Sequence, residues 1–182
     1  MKMLLHVCCA PCSISCVDTL REEGTEPAAF WFNPNIHPYT EYKSRRQTLV
    51  DYAESINMQL ILKDEYGLRS FIKGVYSDLD KRCEYCYSTR MEETAKYASQ
   101  NGFGCFSTTL LISPYQNHEK IIYAAEQAAK KYGTEFLYRD FRPNFRVGQQ
   151  KAREAGLYMQ KYCGCIFSEE ERYTRKKAGG KA

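Results

Sequence analysis

Short apolar runs alternate along this chain with longer stretches in which apolar residues recur every three or four positions. Residues 3–8 (MLLHVC), 28–32 (AAFWF), 59–62 (QLIL), 105–112 (CFSTTLLI) and 135–138 (EFLY) are of the first kind and predict five strands, the first two of them buried. Helical patterns lie between them. Pro11 opens the first, where Ile14, Val17 and Leu20 share a face and Gly24 ends it. A polar helix is expected from about Tyr39 to Ile56, two more near 67–75 and from about Asp80 to Gln100, and a last one over 145–155. The clearest stripe is Ile121, Ile122, Ala125, Ala128, Ala129 and Tyr132. For that helix Ser113 is the expected N-cap, with Pro114 in the first position and Gln116 completing a capping box.

This alternation predicts an α/β fold, a mostly parallel sheet flanked by helices and joined by right-handed crossovers. Ligands of such sheets bind beyond the carboxyl ends of the strands. Cys8, Cys9, Asn33, Asn35, Ser113 and Asp140 all fall at or just past those ends. A chain of 182 residues fits one domain. Residues 1–170 are expected to form a single catalytic domain carrying a cysteine-ligated metal site, and 171–182 a basic, flexible tail. No apolar run reaches the length of a membrane span, and the start is too short for a signal peptide, so the expectation is a cytoplasmic protein with no membrane partner. A net charge of +4 permits a nucleic-acid partner without demanding one.

Nine cysteines change the picture, because an odd count cannot pair completely and reducing cytosol disfavours a disulfide scaffold. Metal binding or redox chemistry is the better reading. Cys8-Cys9-Ala10-Pro11-Cys12 sits where the first strand turns into a helix, and a helix N-terminus favours thiolates. That turn has no glycine, which argues against a phosphate-cradling loop. Cys83-x-x-Cys86 opens a long helix and puts two sulfurs on one face, fit for one metal or a redox dithiol. Cys163-Gly164-Cys165 holds two more thiols close together, as a second metal site, a redox-active disulfide pair or part of the same centre. Cys16 could share the face of Cys12 but reads equally as core; Cys105 reads as core. Seven thiols exceed the four that a zinc needs and fit a 4Fe–4S cluster with further ligands.

The remaining polar groups are weaker signals. His37, in Asn33-Pro34-Asn35-Ile36-His37-Pro38, is a general acid or a metal ligand, against the bland reading of a surface histidine. The hydroxyls of Ser107, Thr108 and Thr109 suit a hydroxylated ligand, or simply satisfy a strand end. Asp140 brings a carboxylate towards the metal, or pairs locally with Arg142.

Five stretches occur in order: LLHVCCAPCS, FNPNIHPYTEYKSR, RCEYCYSTR, FSTTLLISPYQ and YCGCIFS. Together they resemble the QueH-type epoxyqueuosine reductases over nearly the whole chain, from Leu4 to about Ser168. The resemblance implies a HUP-like α/β fold and the last step of queuosine synthesis, in which the epoxide of epoxyqueuosine at the wobble position of tRNA becomes an alkene. It implies iron–sulfur chemistry without cobalamin. Carried over, Cys8, Cys9, Cys83 and Cys86 would hold the 4Fe–4S cluster. Cys12, Cys163 and Cys165 would bind an additional iron or form a redox pair.

Such a reaction takes two electrons and two protons and releases the oxygen as water. An external electron donor is needed, since no flavin or nicotinamide signature is present. His37, Tyr115 and Asp140 are the candidate proton donors by position. The wobble base must be unstacked to react, with Lys43, Arg45, Arg46, Arg82, Arg90, Arg142 and Arg146 as expected phosphate contacts. Two other readings compete: a thiol- or cluster-dependent tRNA sulfurtransferase, which would bind ATP, and a non-catalytic zinc module that binds RNA.

Overall fold

The computed structural model describes residues 2–174. Five strands, all parallel, make one sheet in the order β3-β2-β1-β4-β5: β1 Met3–His6, β2 Pro27–Trp31, β3 Leu60–Leu62, β4 Cys105–Thr108 and β5 Glu135–Phe136. This is the α/β, HUP-like arrangement expected. Its three central strands are buried along their whole length, which is why they read as continuous apolar runs rather than alternating ones. Among the described residues seven α-helices connect and flank them: α1 Ala10–Glu22, α2 Tyr39–Ser55, α3 Leu68–Val75, α4 Arg82–Gln100, α5 His118–Tyr132, α6 Phe145–Glu154 and α7 Ile166–Thr174.

The chain winds from β1 outward through β2 to β3, then returns to the other side of β1 for β4 and β5. The sheet therefore reverses direction between β1 and β4, and the crevice beyond their carboxyl ends is the natural ligand position. In that pair His6 lies opposite Thr108, and His6 Nδ1 meets Thr108 Oγ1 at 3.0 Å. Cys8 and Cys9 follow immediately, and Cys9, in an extended conformation, is the N-cap of α1.

Three details depart from the sequence pattern. The fourth apolar run does not stay extended: Thr108 Oγ1 accepts from Leu110 N–H (3.2 Å), and residues Thr109–Ile112 coil into a 3-10 turn. The helix expected from Ser113 begins at His118, capped by Asn117, whose side chain accepts from Lys120 N–H at 3.0 Å. Ser113 Oγ accepts instead from Tyr115 N–H (3.2 Å), closing a local turn that leaves Tyr115 standing free of the helix, 86% exposed. Finally, α7 forms where the sequence pattern predicts no helix. Its first turn is tied to Cys165, whose carbonyl accepts from Ser168 and Glu169, and Phe167 packs against Phe71. The expected domain boundary at 170/171 thus falls within α7; residues 175–182 of the expected tail lie outside the described residues.

Candidate metal centre

The geometry starts with the turn after β1. Cys8, Cys9 and Cys12 are buried, and their sulfurs lie within 4.8 Å of one another, close enough to share a single ion. Spacing explains it: the N-cap residue and its predecessor bring two sulfurs to the helix mouth, and Cys12, in the first turn of α1, brings the third. Thr109, on the neighbouring turn after β4, holds Cys8 from both sides. Its hydroxyl accepts from Cys8 N–H (3.3 Å) and donates to Cys8 Sγ (3.6 Å). Gln160 Nε2 donates to Cys12 Sγ at 3.2 Å. Hydrogen bonds from Cys12 and Cys9 hold the Cys8 thiol well below the usual thiol range. Burial pushes Cys9 up, and the bond to Cys8 does the same to Cys12.

A second group gathers from two distant segments. Cys83 and Cys86 lie in the first turns of α4, and Cys163 and Cys165 on the turn that precedes α7. All four line a cavity of about 210 Å³ together with Asn35, Arg90 and Tyr87. Burial raises the Cys86 thiol to about 11, whereas the hydrogen bond from Cys165 pulls Cys163 down to about 5. A larger cleft of about 1490 Å³ runs past Cys8 and Cys12 along α6. Cys163, Tyr115, Gln116, Ser168 and Glu171 border both spaces, so the two thiol groups open onto one continuous crevice. All nine cysteines are free thiols. Cys16 is fully buried and bonded to the Cys12 carbonyl, and Cys105 starts β4, far from the carboxyl end where the site lies.

The C-G-C turn is held by the loop after β2 and by α2. Arg45 is buried, and its Nε donates to Glu41 at 2.7 Å. Its Nη1 and Nη2 donate to the carbonyls of Cys163 (3.0 Å) and Tyr162 (2.9 Å). Tyr158 OH also donates to Glu41. Gly164 has φ +144, and a Cβ there would come within 3.2 Å of Ile36 Cγ1, so the turn requires glycine. On the far side, Gly148 of α6 backs onto Ser15 of α1; a Cβ would lie 2.7 Å from Ser15 Oγ. That close approach brings the α6 face to the large cleft.

The three proton-donor candidates separate clearly. His37 is fully buried; its Nε2 donates to the Pro34 carbonyl (3.1 Å) and its Nδ1 accepts from Ile166 N–H (3.4 Å), which makes it a brace for the C-G-C segment. Burial pushes it down to about 4. Asp140 is exposed and paired with Arg142 (2.7 Å), outside both cavities. Tyr115 stands at their junction. Of the expected phosphate contacts, Arg45 and Arg90 are buried, and Arg46, Arg82 and Arg142 are ion-paired to Asp64, Glu171 and Asp140. Arg146 lines the large cleft, joined by Arg172 of the expected basic tail and by Arg153 and Lys161, which the sequence did not single out. Gln160 was missed too: nothing in a lone glutamine signals that it will reach a cysteine 148 positions away.

Comparison with known proteins gives a consistent answer. A family model described as "Epoxyqueuosine reductase QueH" matches residues 3–171. A protein of that name from Dehalococcoides mccartyi is 37% identical, covering 96% of both chains. Another from Thermotoga maritima is 37% identical over 93% of this chain and 91% of its own. A solved structure titled as a predicted subunit of tRNA methyltransferase from Methanocaldococcus jannaschii matches with a TM-score of 0.53 at 13% identity, covering 84% of this chain and 75% of that one, a likeness of fold alone.

Proposed function

The chain belongs to the QueH family of epoxyqueuosine reductases, and from that premise we propose that it converts epoxyqueuosine at the wobble position of tRNA to queuosine on a cysteine-ligated iron centre. Family membership makes it an oxidoreductase and sets aside the sulfurtransferase and the RNA-binding zinc module. The observation that carries the proposal is the convergence of six cysteines from three separated segments on one crevice at the sheet's reversal point, with Cys9 buried against two of them.

The residues fit such a centre. Soft thiolate donors select iron–sulfur clusters, zinc and copper over hard cations. Three sulfurs are gathered within one ion's reach and four more line the adjoining cavity. In this reading Cys8, Cys9, Cys83 and Cys86 hold a 4Fe–4S cluster, while Cys12, Cys163 and Cys165 bind an additional iron or act as a redox pair. When bound, the centre supplies the two electrons that the reduction consumes, refilled by an external donor.

The chain's own residues do the rest. The large cleft, with Arg146, Arg153, Lys161 and Arg172 on its walls, offers positive charge to an anticodon-loop backbone. The wobble base, unstacked from its neighbours, reaches the thiol groups through the junction bordered by Tyr115 and Gln116. In this reading Tyr115, which borders both spaces, gives a proton to the departing oxygen; its phenylalanine variant keeps the ring and removes the proton. No helix among the described residues is long and apolar enough to cross a membrane, and a tRNA substrate puts the working protein in the cytoplasm.

The test is anaerobic reconstitution, iron and sulfide assay, and turnover of epoxyqueuosine-tRNA with dithionite. Cys9→Ala and Cys86→Ala are each expected to lose activity at least a hundredfold. Full activity in either variant, or a wild-type protein that holds zinc and no sulfide, contradicts the proposal.

A further inference from the structure

Two arginines are buried among the described residues, Arg45 and Arg90, at 2% and 3% exposure. A guanidinium stays charged in proteins, so a buried one needs an anion beside it. Arg45 has Glu41. Among the described residues, Arg90 has no carboxylate within 4.0 Å. Its Nε donates to the Cys86 carbonyl oxygen (3.0 Å) and its Nη2 donates to Cys86 Sγ (3.0 Å).

The placement follows from α4. Cys83, Cys86 and Arg90 recur at helical spacing, and a long side chain on a helix leans back towards its N-terminus, so Arg90 lies over the sulfurs of the turn before it. The guanidinium carbon is 5.8 Å from the Tyr87 ring centroid, which walls its other side. Arg90 lines the smaller cavity in company with Cys83, Cys86, Cys163 and Cys165. Whatever balances this cation sits in that cavity, and the acceptor it already addresses is sulfur.

Building on the iron-centre reading above, we propose that Arg90 is the built-in counter-ion of a thiolate-ligated centre in this cavity, a positioning residue that hydrogen-bonds the Cys86 sulfur and raises the centre's reduction potential. The direction follows from charge. A donor to a ligand sulfur and a fixed positive charge both favour the more reduced, more negative state. The planar fork also fixes the Cys86 rotamer, since one guanidinium binds both the sulfur and the carbonyl of the same residue.

The experiment compares the full chain with Arg90→Gln and Arg90→Lys, all reconstituted anaerobically, by iron and sulfide content and by redox titration followed by electron paramagnetic resonance. Arg90→Gln is expected to shift the potential to more negative values. Arg90→Lys, which keeps the charge and loses the fork, is expected to fall between it and the wild type. A loaded Arg90→Gln protein with the wild-type potential overturns the proposal while leaving the iron-centre reading intact; if that variant also binds tRNA more weakly, the counter-anion is a substrate phosphate. If Arg90→Gln assembles no centre, Arg90→Lys decides: a potential below wild type supports the proposal and an unchanged one overturns it. A wild-type protein without iron and sulfide overturns the iron-centre reading and this inference with it.

Discussion

The two thiol groups are built in opposite ways. Cys8, Cys9 and Cys12 sit at the junction of the central strand and α1, where the strand end and the first helical turn set their mutual geometry, with one direct bond from the C-terminal third, Gln160 to Cys12. Cys83, Cys86, Cys163 and Cys165 are brought together by a helix head and a loop more than seventy residues apart, and two of them, Cys83 and Cys163, are exposed. Among the described residues only the first group gathers within one ion's reach. The first is preorganised by secondary structure; the second depends on a polar brace of Arg45, Glu41, Tyr158 and His37. A difference of this kind means that the brace can be broken while the trio survives.

The largest effect is expected from Arg45→Met. It leaves Glu41 buried without its cation and two carbonyls without donors, a loss of ~3–5 kcal/mol in guanidinium unfolding. Alkylation read by mass spectrometry on the metal-free variant should show Cys163 and Cys165 labelled faster and Cys8, Cys9 and Cys12 still protected. Equal acceleration at both groups would erase the contrast.

Acid should act next, and unevenly. Burial holds both His6 and His37 down to about 4, below the ordinary 6.5. Above pH 6.5 neither the folded nor the unfolded chain takes these protons. Between 6.5 and about 4 only the unfolded chain does, so stability falls as the pH drops through that window, by up to ~1.4 kcal/mol per pH unit for a fully buried histidine. Protonated His37 can no longer accept from Ile166 N–H. The protection of the Ile166 amide against hydrogen exchange, taken relative to the intrinsic rate at each pH, should therefore fall with acid before that of the Cys8 amide, which is bonded to a hydroxyl.

The smallest effect is expected at the trio itself. Thr109→Val removes the hydroxyl that bridges the amide and sulfur of Cys8, a change of ~1 kcal/mol, seen as a melting shift of a few degrees. A collapse in that variant would show that the turn after β1 is not self-supporting.

The contrast also explains what was legible in the sequence. The strand β1, the turn into α1 and the cysteine trio are local, and apolar run, Pro11 and spacing together specify them. So are Cys83 and Cys86. What joins the groups is not local. Arg45 read as a phosphate contact because it lies in a polar helix; its burial comes from residues more than a hundred positions away. His37 read as a candidate acid because the Ile166 amide that occupies its Nδ1 lies 129 positions away, although its Nε2 partner, the Pro34 carbonyl, is local. The helix from Ser113 failed for a local reason: Ser113 and Asn117 both offer a cap, and the later one won. Arg90 carried a readable signal, an arginine four residues after Cys86 on a helix, whose meaning emerges only with its burial.

The central claim is that both groups serve one iron centre in one crevice. An anomalous difference map at the iron edge, from crystals of anaerobically reconstituted protein, tests it directly. The account predicts iron density bounded by the sulfurs of Cys8 and Cys9 on one side and Cys83 and Cys86 on the other. Density confined to the pocket of Cys8, Cys9 and Cys12, with the Cys83–Cys86 side empty of metal, would contradict it.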